Sequence, residues 1–385
     1  MRKIMFVCLS ALLALSSCYR EPDLLLYDKG NKIIKLPIID LELNTYWDYE
    51  MNLGIDYDWR AEWYYGWDDE DRRLFGELGY TEPNKFHLRR YYTGSISRGP
   101  RIRKSSAFIE GKIYRTSYDW GFWDILAWNN VETLDGIQSL RFDEPDSYDE
   151  EITASTGPTM NRSRYHAPRY QNSFYEPEQL FAALESGIEI NENLEGFEYD
   201  AKEDVWVREL KMLLEPITYI YLPQIILHNN KGRIVEYLGP SNLSGMARST
   251  SLNSGIAGKD AIAVYFNMRK KDNMDMKGEK VDIIGGRLMT FGICGQNANR
   301  VSRANEVDEI DSQHHYIDAT MQFSNGMDST FVFDVTKQVR EHYKGGVITI
   351  ELDVDTVPIP HRPGGSGFNA VVKDFEDGGT HEFNM

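Results

Sequence analysis

Cysteine is scarce in this chain of 385 residues: only Cys8, Cys18 and Cys294 occur. Cys8 lies in an N-terminal apolar run and Cys18 just after it; with the run removed and Cys18 acylated, Cys294 remains alone and no intramolecular disulfide can form. Cys294 ends the apolar run from Leu288 and reads as a buried strand cysteine. Stability must come from a core, which a chain of this length can supply. Bilayer-spanning segments are missing too. The apolar run Ile4 to Leu15 falls short of the roughly 20 residues that a spanning helix needs. Positive charge is in deficit, with 42 Lys and Arg against 60 Asp and Glu and a formal charge of −18. Such a surface repels nucleic acid and anionic headgroups, so neither is expected as a direct partner. No P-loop, dinucleotide fingerprint, Cys/His zinc pattern or His-Glu-x-x-His is present, and no metal or enzymatic activity is expected. Gly364-Gly365-Ser366-Gly367 is superficially close to Gly-x-Ser-x-Gly. It lacks the strand-to-helix context of a nucleophile elbow and reads as a flexible linker.

The N-terminus organises the rest. Arg2 and Lys3 precede the apolar run, and Leu15-Ser16-Ser17-Cys18 follows it. A basic start, an apolar segment and small residues at the cut make a secretory signal. Cysteine directly after Leu-Ser-Ser resembles the lipobox of bacterial lipoproteins, in which the thiol is acylated and the peptide is cut before it. Residues 1–17 are therefore expected to be a lipoprotein signal peptide, and 18–30 a lipidated tether on Cys18. Losing Arg2 and Lys3 would take the charge from −18 to about −20. Attachment to a membrane then comes from covalent lipid, and more than one chain makes it stable.

Further on, Ile39, Leu41 and Leu43 alternate as in a strand. Asn44 to Trp67 is crowded with aromatics, and seven of the eight tryptophans fall before residue 130. Asp68 to Arg73 reads as a solvated turn. Gly94 to Lys104 reads as a basic loop, with Arg98, Arg101, Arg103 and Lys104 as candidate proteolytic sites. Phe108 to Arg115, Phe122 to Trp128 and Gln138 to Phe142 read as strands. Asp143 to Ser173 is polar and irregular. Glu176 to Ser186 places Leu180, Phe181 and Leu184 on one helical face before Gly187, which predicts a helix. From Ile217 the texture changes. Tyr219 to Leu227, Ile262 to Phe266, Val281 to Cys294, Tyr316 to Phe323, Thr330 to Phe333 and Val347 to Val354 read as strands. Their spacing predicts a β-sandwich. One short helix follows Asp334, with Val335 and Val339 inward. Phe368 to Phe375 reads as a further strand behind the Gly-rich linker.

Three features invite chemistry. Trp47, Trp59, Trp63 and Trp67 either build a core or form a platform on which sugar rings stack. Asp56 and Asp58 share a strand face, and His314 and His315, as neighbours on a strand, point to opposite sides and make poor joint ligands.

The order of several stretches resembles the fimbrillin-like lipoproteins of Bacteroidales, of the minor or anchoring subunit type. They are Cys18-Tyr-Arg-Glu-Pro, Tyr57-Asp-Trp, Trp123-Asp-Ile-Leu-Ala-Trp-Asn-Asn-Val, Asn242-Leu-Ser-Gly-Met-Ala, Leu288-Met-Thr-Phe-Gly and Phe333-Asp-Val-Thr-Lys-Gln-Val. The resemblance implies a mostly β protein of two tandem transthyretin-like β-sandwich domains with a few short helices. The expected division is 31–215 for the first domain, with a partly helical connecting segment, 216–362 for the second, and 363–385 for a hinge and tail strand. It also implies a non-enzymatic lipoprotein of the outer membrane and cell surface, with fimbrial subunits as partners through strand exchange. A surface glycan-binding lipoprotein is the alternative.

Overall fold

The computed structural model describes residues 35–47, 54–55, 57–94, 102–131, 139–145, 151–159, 172–295, 313–360 and 370–372. Strands dominate it. Eight of them form one curled sheet: β1 (Ile38–Thr45), β2 (Lys85–Gly94), β3 (Ile102–Glu110), β4 (Ile113–Ser117), β5 (Gly121–Asn129), β9 (Phe181–Ile190), β10 (Glu198–Asp200) and β11 (Val205–Pro216). The order is β3-β2-β5-β9-β11-β1-β4, with β10 against β11. β3 and β4 sit at opposite ends of that order, yet only Gly111 and Lys112 separate them in the chain. The sheet must therefore curl until its ends approach. β11 makes the bend, pairing with β1 along eight residues and with β9 only at Glu215 and Pro216. The enclosed core holds Ile39, Leu41, Leu43, Phe86, Ile125 and Leu214.

The C-terminal half is a sandwich. Its first sheet has β12 (Tyr219–His228) flanked by β17 (Glu279–Gly286) and β18 (Leu288–Thr290) on one side and by parallel β21 (Gly346–Asp353) on the other. β16 (Met268–Met276) lies beyond β17. The second sheet has the order β22-β20-β19-β13-β15-β8, formed by β8 (Ser173–Phe174), β13 (Ile234–Ala247), β15 (Ala261–Phe266), β19 (Tyr316–Phe323), β20 (Asp328–Asp334) and β22 (Ala370–Val372). Ile225, Leu227, Leu243, Val264, Ile317 and Ile350 fill the space between. A small third sheet, β6 (Leu140–Asp143), β7 (Thr153–Thr156) and β14 (Ser249–Ser251), ties the halves together. It packs with the far face of β5 and β9 around Leu126, Trp128 and Leu180.

Where the sequence reading and the structure differ, the causes are specific. Glu176 to Ser186 is not helical; Phe181 opens β9, a strand between β5 and β11. Both faces of β9 meet a core: Leu180 and Ala182 on one side, Phe181 on the other. A strand apolar on both faces cannot be told from a helix by periodicity. Gly187, expected to stop a helix, instead sits at φ 72° in a bulge opposite Asp124, whose Oδ1 accepts its N–H at 2.8 Å. Asp68 to Arg73 is not a plain turn but enters helix α1 (Asp69–Phe75), started by a reciprocal capping box between Asp68 and Asp71. Phe108 to Arg115 is split by Gly111, at φ 88°, into the end of β3 and the start of β4. The basic Gly94 to Lys104 stretch is shorter as a loop, because β3 starts at Ile102. The helix after Asp334 is present as α2 (Thr336–Glu341), with Asp334 Oδ1 accepting the Thr336 N–H at 2.9 Å.

Candidate functional site

Of the sites expected from sequence, Cys18, Arg98, Arg101 and Asp56 lie outside the described residues. Arg103 and Lys104 fall within β3. The four tryptophans do not form a common sugar platform. Trp47 is 7% exposed and Trp59 6%, both in the core shared by the two halves. Trp47 packs on Tyr80 and Phe181. Burial in that core takes these two out of any stacking surface. Trp63 and Trp67 are half-buried; the first packs on Tyr65, and the second packs on Phe75 and donates its Nε1–H to the Gly76 carbonyl at 3.2 Å. His314 and His315 part as expected. His314 is exposed; His315 is fully buried, with Nδ1 3.2 Å from the Ser244 carbonyl. Burial lowers the His315 imidazole to about 4, and Arg340 adds to that. Burial also pushes the Cys294 thiol up to about 11. Among the described residues no three His, Cys, Asp or Glu side chains are placed to hold a metal, and no helix is long and apolar enough to cross a membrane.

The aromatic stretch does something the sequence did not disclose. Residues 57–75 run as a strap over the outer face of the β12-containing sheet. Tyr65 is fully buried against Ile226, Val281 and Ile283. Gln224, fully buried on β12, fastens the strap's backbone. Its Oε1 accepts the N–H groups of Tyr64 at 3.0 Å and Tyr65 at 3.2 Å, and its Nε2 donates to the Glu62 carbonyl at 2.6 Å. The strap ends in α1, where the same residues that cap the helix meet β16. Asp71, fully buried, takes Arg269 Nε at 2.9 Å, Lys271 Nζ at 2.5 Å and the Tyr65 hydroxyl at 2.7 Å. Asp68 pairs with Arg269 and, at 3.0 Å, with Lys271. Lys271 also stands 4.0 Å over the Tyr65 ring. Burial opposes ionisation of Asp68 and Asp71, yet the two cations and the capping bonds hold both carboxyls below their usual range. A buried charge satisfied from several sides in this way is costly to break.

The other feature bearing on assembly is the tail. β22 pairs in parallel with β20, matching Ala370 to Phe331, Val371 to Val332 and Val372 to Phe333. Three residues at the outer margin of a six-stranded sheet cover an edge that would otherwise be open.

No protein-family model matches the chain, and no curated protein does. It is similar to several solved structures. One is a candidate adhesin from Bacteroides ovatus, at 13% identity and a TM-score of 0.43, covering 84% of this chain and 95% of that one. Another is the fimbrial anchor protein Mfa2 from Porphyromonas gingivalis, at 10% identity and a TM-score of 0.40, covering 82% and 90%. A third is a fimbrial assembly protein from Parabacteroides distasonis, at 9% identity and a TM-score of 0.30, covering 84% and 93%.

Proposed function

We propose that this protein is a non-enzymatic surface lipoprotein that anchors or caps a fibre, held in the outer membrane by lipid on Cys18 and joined to a neighbouring subunit by strand exchange. The observation that carries this reading is the tail strand. β22 is short, lies at a sheet margin and follows Gly364-Gly365-Ser366-Gly367, so few backbone bonds hold it against replacement. A strand from another subunit can take the β20 edge and gain main-chain bonds together with side-chain pockets. The N-terminal sequence supports the membrane half of the reading, since Leu15-Ser16-Ser17-Cys18 resembles the lipobox at which bacterial lipoproteins are acylated and cut. Fimbrial subunits and the membrane are then the partners, and the covalent lipid on Cys18 is the non-protein group this reading requires.

Two changes test the halves separately. Cys18→Ala should release the protein from membranes; retention of that variant at high salt removes the lipoprotein reading. Deleting residues 364–385 should lower the unfolding temperature and make the protein self-associate through the bared β20 edge. A truncated protein that is monomeric, equally stable and still incorporated into fibres removes the strand-exchange reading.

A further inference from the structure

Besides the β20 margin, the C-terminal sandwich has a second margin, β21. Backbone groups of alternate residues in a strand point to opposite sides. In β21 one set is taken by parallel pairing with β12. The other set, from Val347, Thr349 and Glu351, faces outward, and such a row is a template for an added strand. Two side chains occupy it. Gln338 on α2 accepts the Thr349 N–H with Oε1 at 2.8 Å and donates from Nε2 to the Thr349 carbonyl at 2.9 Å. That is the donor and acceptor pair that one residue of an incoming strand would present. The Tyr57 hydroxyl, at the start of the strap, accepts the Val347 N–H. Its ring is stacked on His342 at 4.0 Å and 16°. Gly346 makes the room: a Cβ there would stand 2.7 Å from the Tyr57 hydroxyl. Val339, fully buried one residue after Gln338, fixes α2 beside the strand. At the next outward position the side chain is the charge of Glu351, itself a deterrent to pairing.

We propose that Gln338 and Tyr57 form an edge lock that stops β21 from pairing with the same strand of a second copy of this chain. Removing both should leave a self-complementary edge that closes two-fold with its own kind. The lock does not depend on the tail being exchanged, because it concerns the other sheet.

The test is the full chain carrying Gln338→Ala and Tyr57→Ala, which remove both the polar groups and the bulk that cover the edge. Sedimentation should show a concentration-dependent dimer where the parent is monomeric. Hydrogen exchange at the Val347 and Thr349 amides should rise about tenfold in the dilute monomer and fall again in the dimer. A variant that stays monomeric with parental exchange at both amides overturns the proposal, and so does a dimer in which these amides remain unprotected. If the double variant loses cooperative unfolding, the single variants decide. Gln338→Ala should speed exchange only at Thr349 and Tyr57→Ala only at Val347; unchanged rates in both overturn the lock.

Discussion

Tyr65 and Gly285 are fitted to each other. A Cβ on Gly285 would stand 2.5 Å from two carbons of the Tyr65 ring, so the strap seats only because this β17 residue has no side chain. With Gln224 and the Asp71 cluster, this contact joins an N-terminal segment to the back of the C-terminal sheet.

Gly285→Ala should therefore destabilise the protein by about 1–3 kcal/mol, the usual cost of overpacking a filled site. Denaturant titration at neutral pH reads it. Combining it with Tyr65→Leu should cost less than the sum of the single changes, because both act on one contact. Additive losses would show that the strap does not rest on Gly285.

Asp71→Asn should cost about 3 kcal/mol, since Arg269 and Lys271 would then face a buried neutral group. The pH dependence has a definite sign. A carboxyl whose folded pKa is lowered stabilises the fold above its unfolded value and loses that contribution as pH falls through the folded one. For Asp68 and Asp71 the loss begins below about pH 4. Urea midpoints of the parent and Asp71→Asn should converge only as pH falls further below about 4.

His315 acts at milder acidity. Its folded pKa of about 4 lies below the ordinary imidazole value, so the unfolded chain binds the extra proton first. Stability should fall as pH drops from about 6.5 to 4, by up to about 3 kcal/mol. Arg340 works against the charged ring and Asp334 favours it. Thermal midpoints at pH 7.5 and 5 should differ more in the parent than in His315→Gln; equal shifts would assign the acid sensitivity elsewhere.

Limited trypsin digestion should cut first in the Gly94 to Lys104 stretch, at Arg98 or Arg101, because Arg103 and Lys104 lie within β3. First cuts in the strap, at Arg60, Arg72 or Arg73, would contradict both this and the firm seating of residues 57–75.

Much of the strand content was legible because its causes are local. The apolar run Tyr219 to Leu227 between turn residues is β12, and the alternation of Ile39, Leu41 and Leu43 is β1. Val335 and Val339 mark α2 by their spacing, although Val335, not Asp334, takes the N-cap position and Asp334 accepts the Thr336 N–H from one residue before it. β16 escaped notice because Arg269, Lys270, Lys271 and Asp272 hide its pattern; the three cations serve partners on α1 and β17 that the sequence does not place beside them. The helix α1 left a readable sign, Asp68-x-x-Asp71, that its charge density masked.

What the sequence determined by itself is the balance of charge and the short-range periods that make a mostly β chain. Those depend on residues a few positions apart. The tertiary structure alone decided which face each period would bury. It turned Leu180 and Phe181 to opposite cores. It drew Trp47 and Trp59 inside, and it seated Tyr65 over Gly285 and Tyr57 against Val347. Each of those outcomes depends on contact between surfaces far apart in the chain. Burial energy is non-directional and rewards whichever surface arrives, so no local pattern encodes the choice.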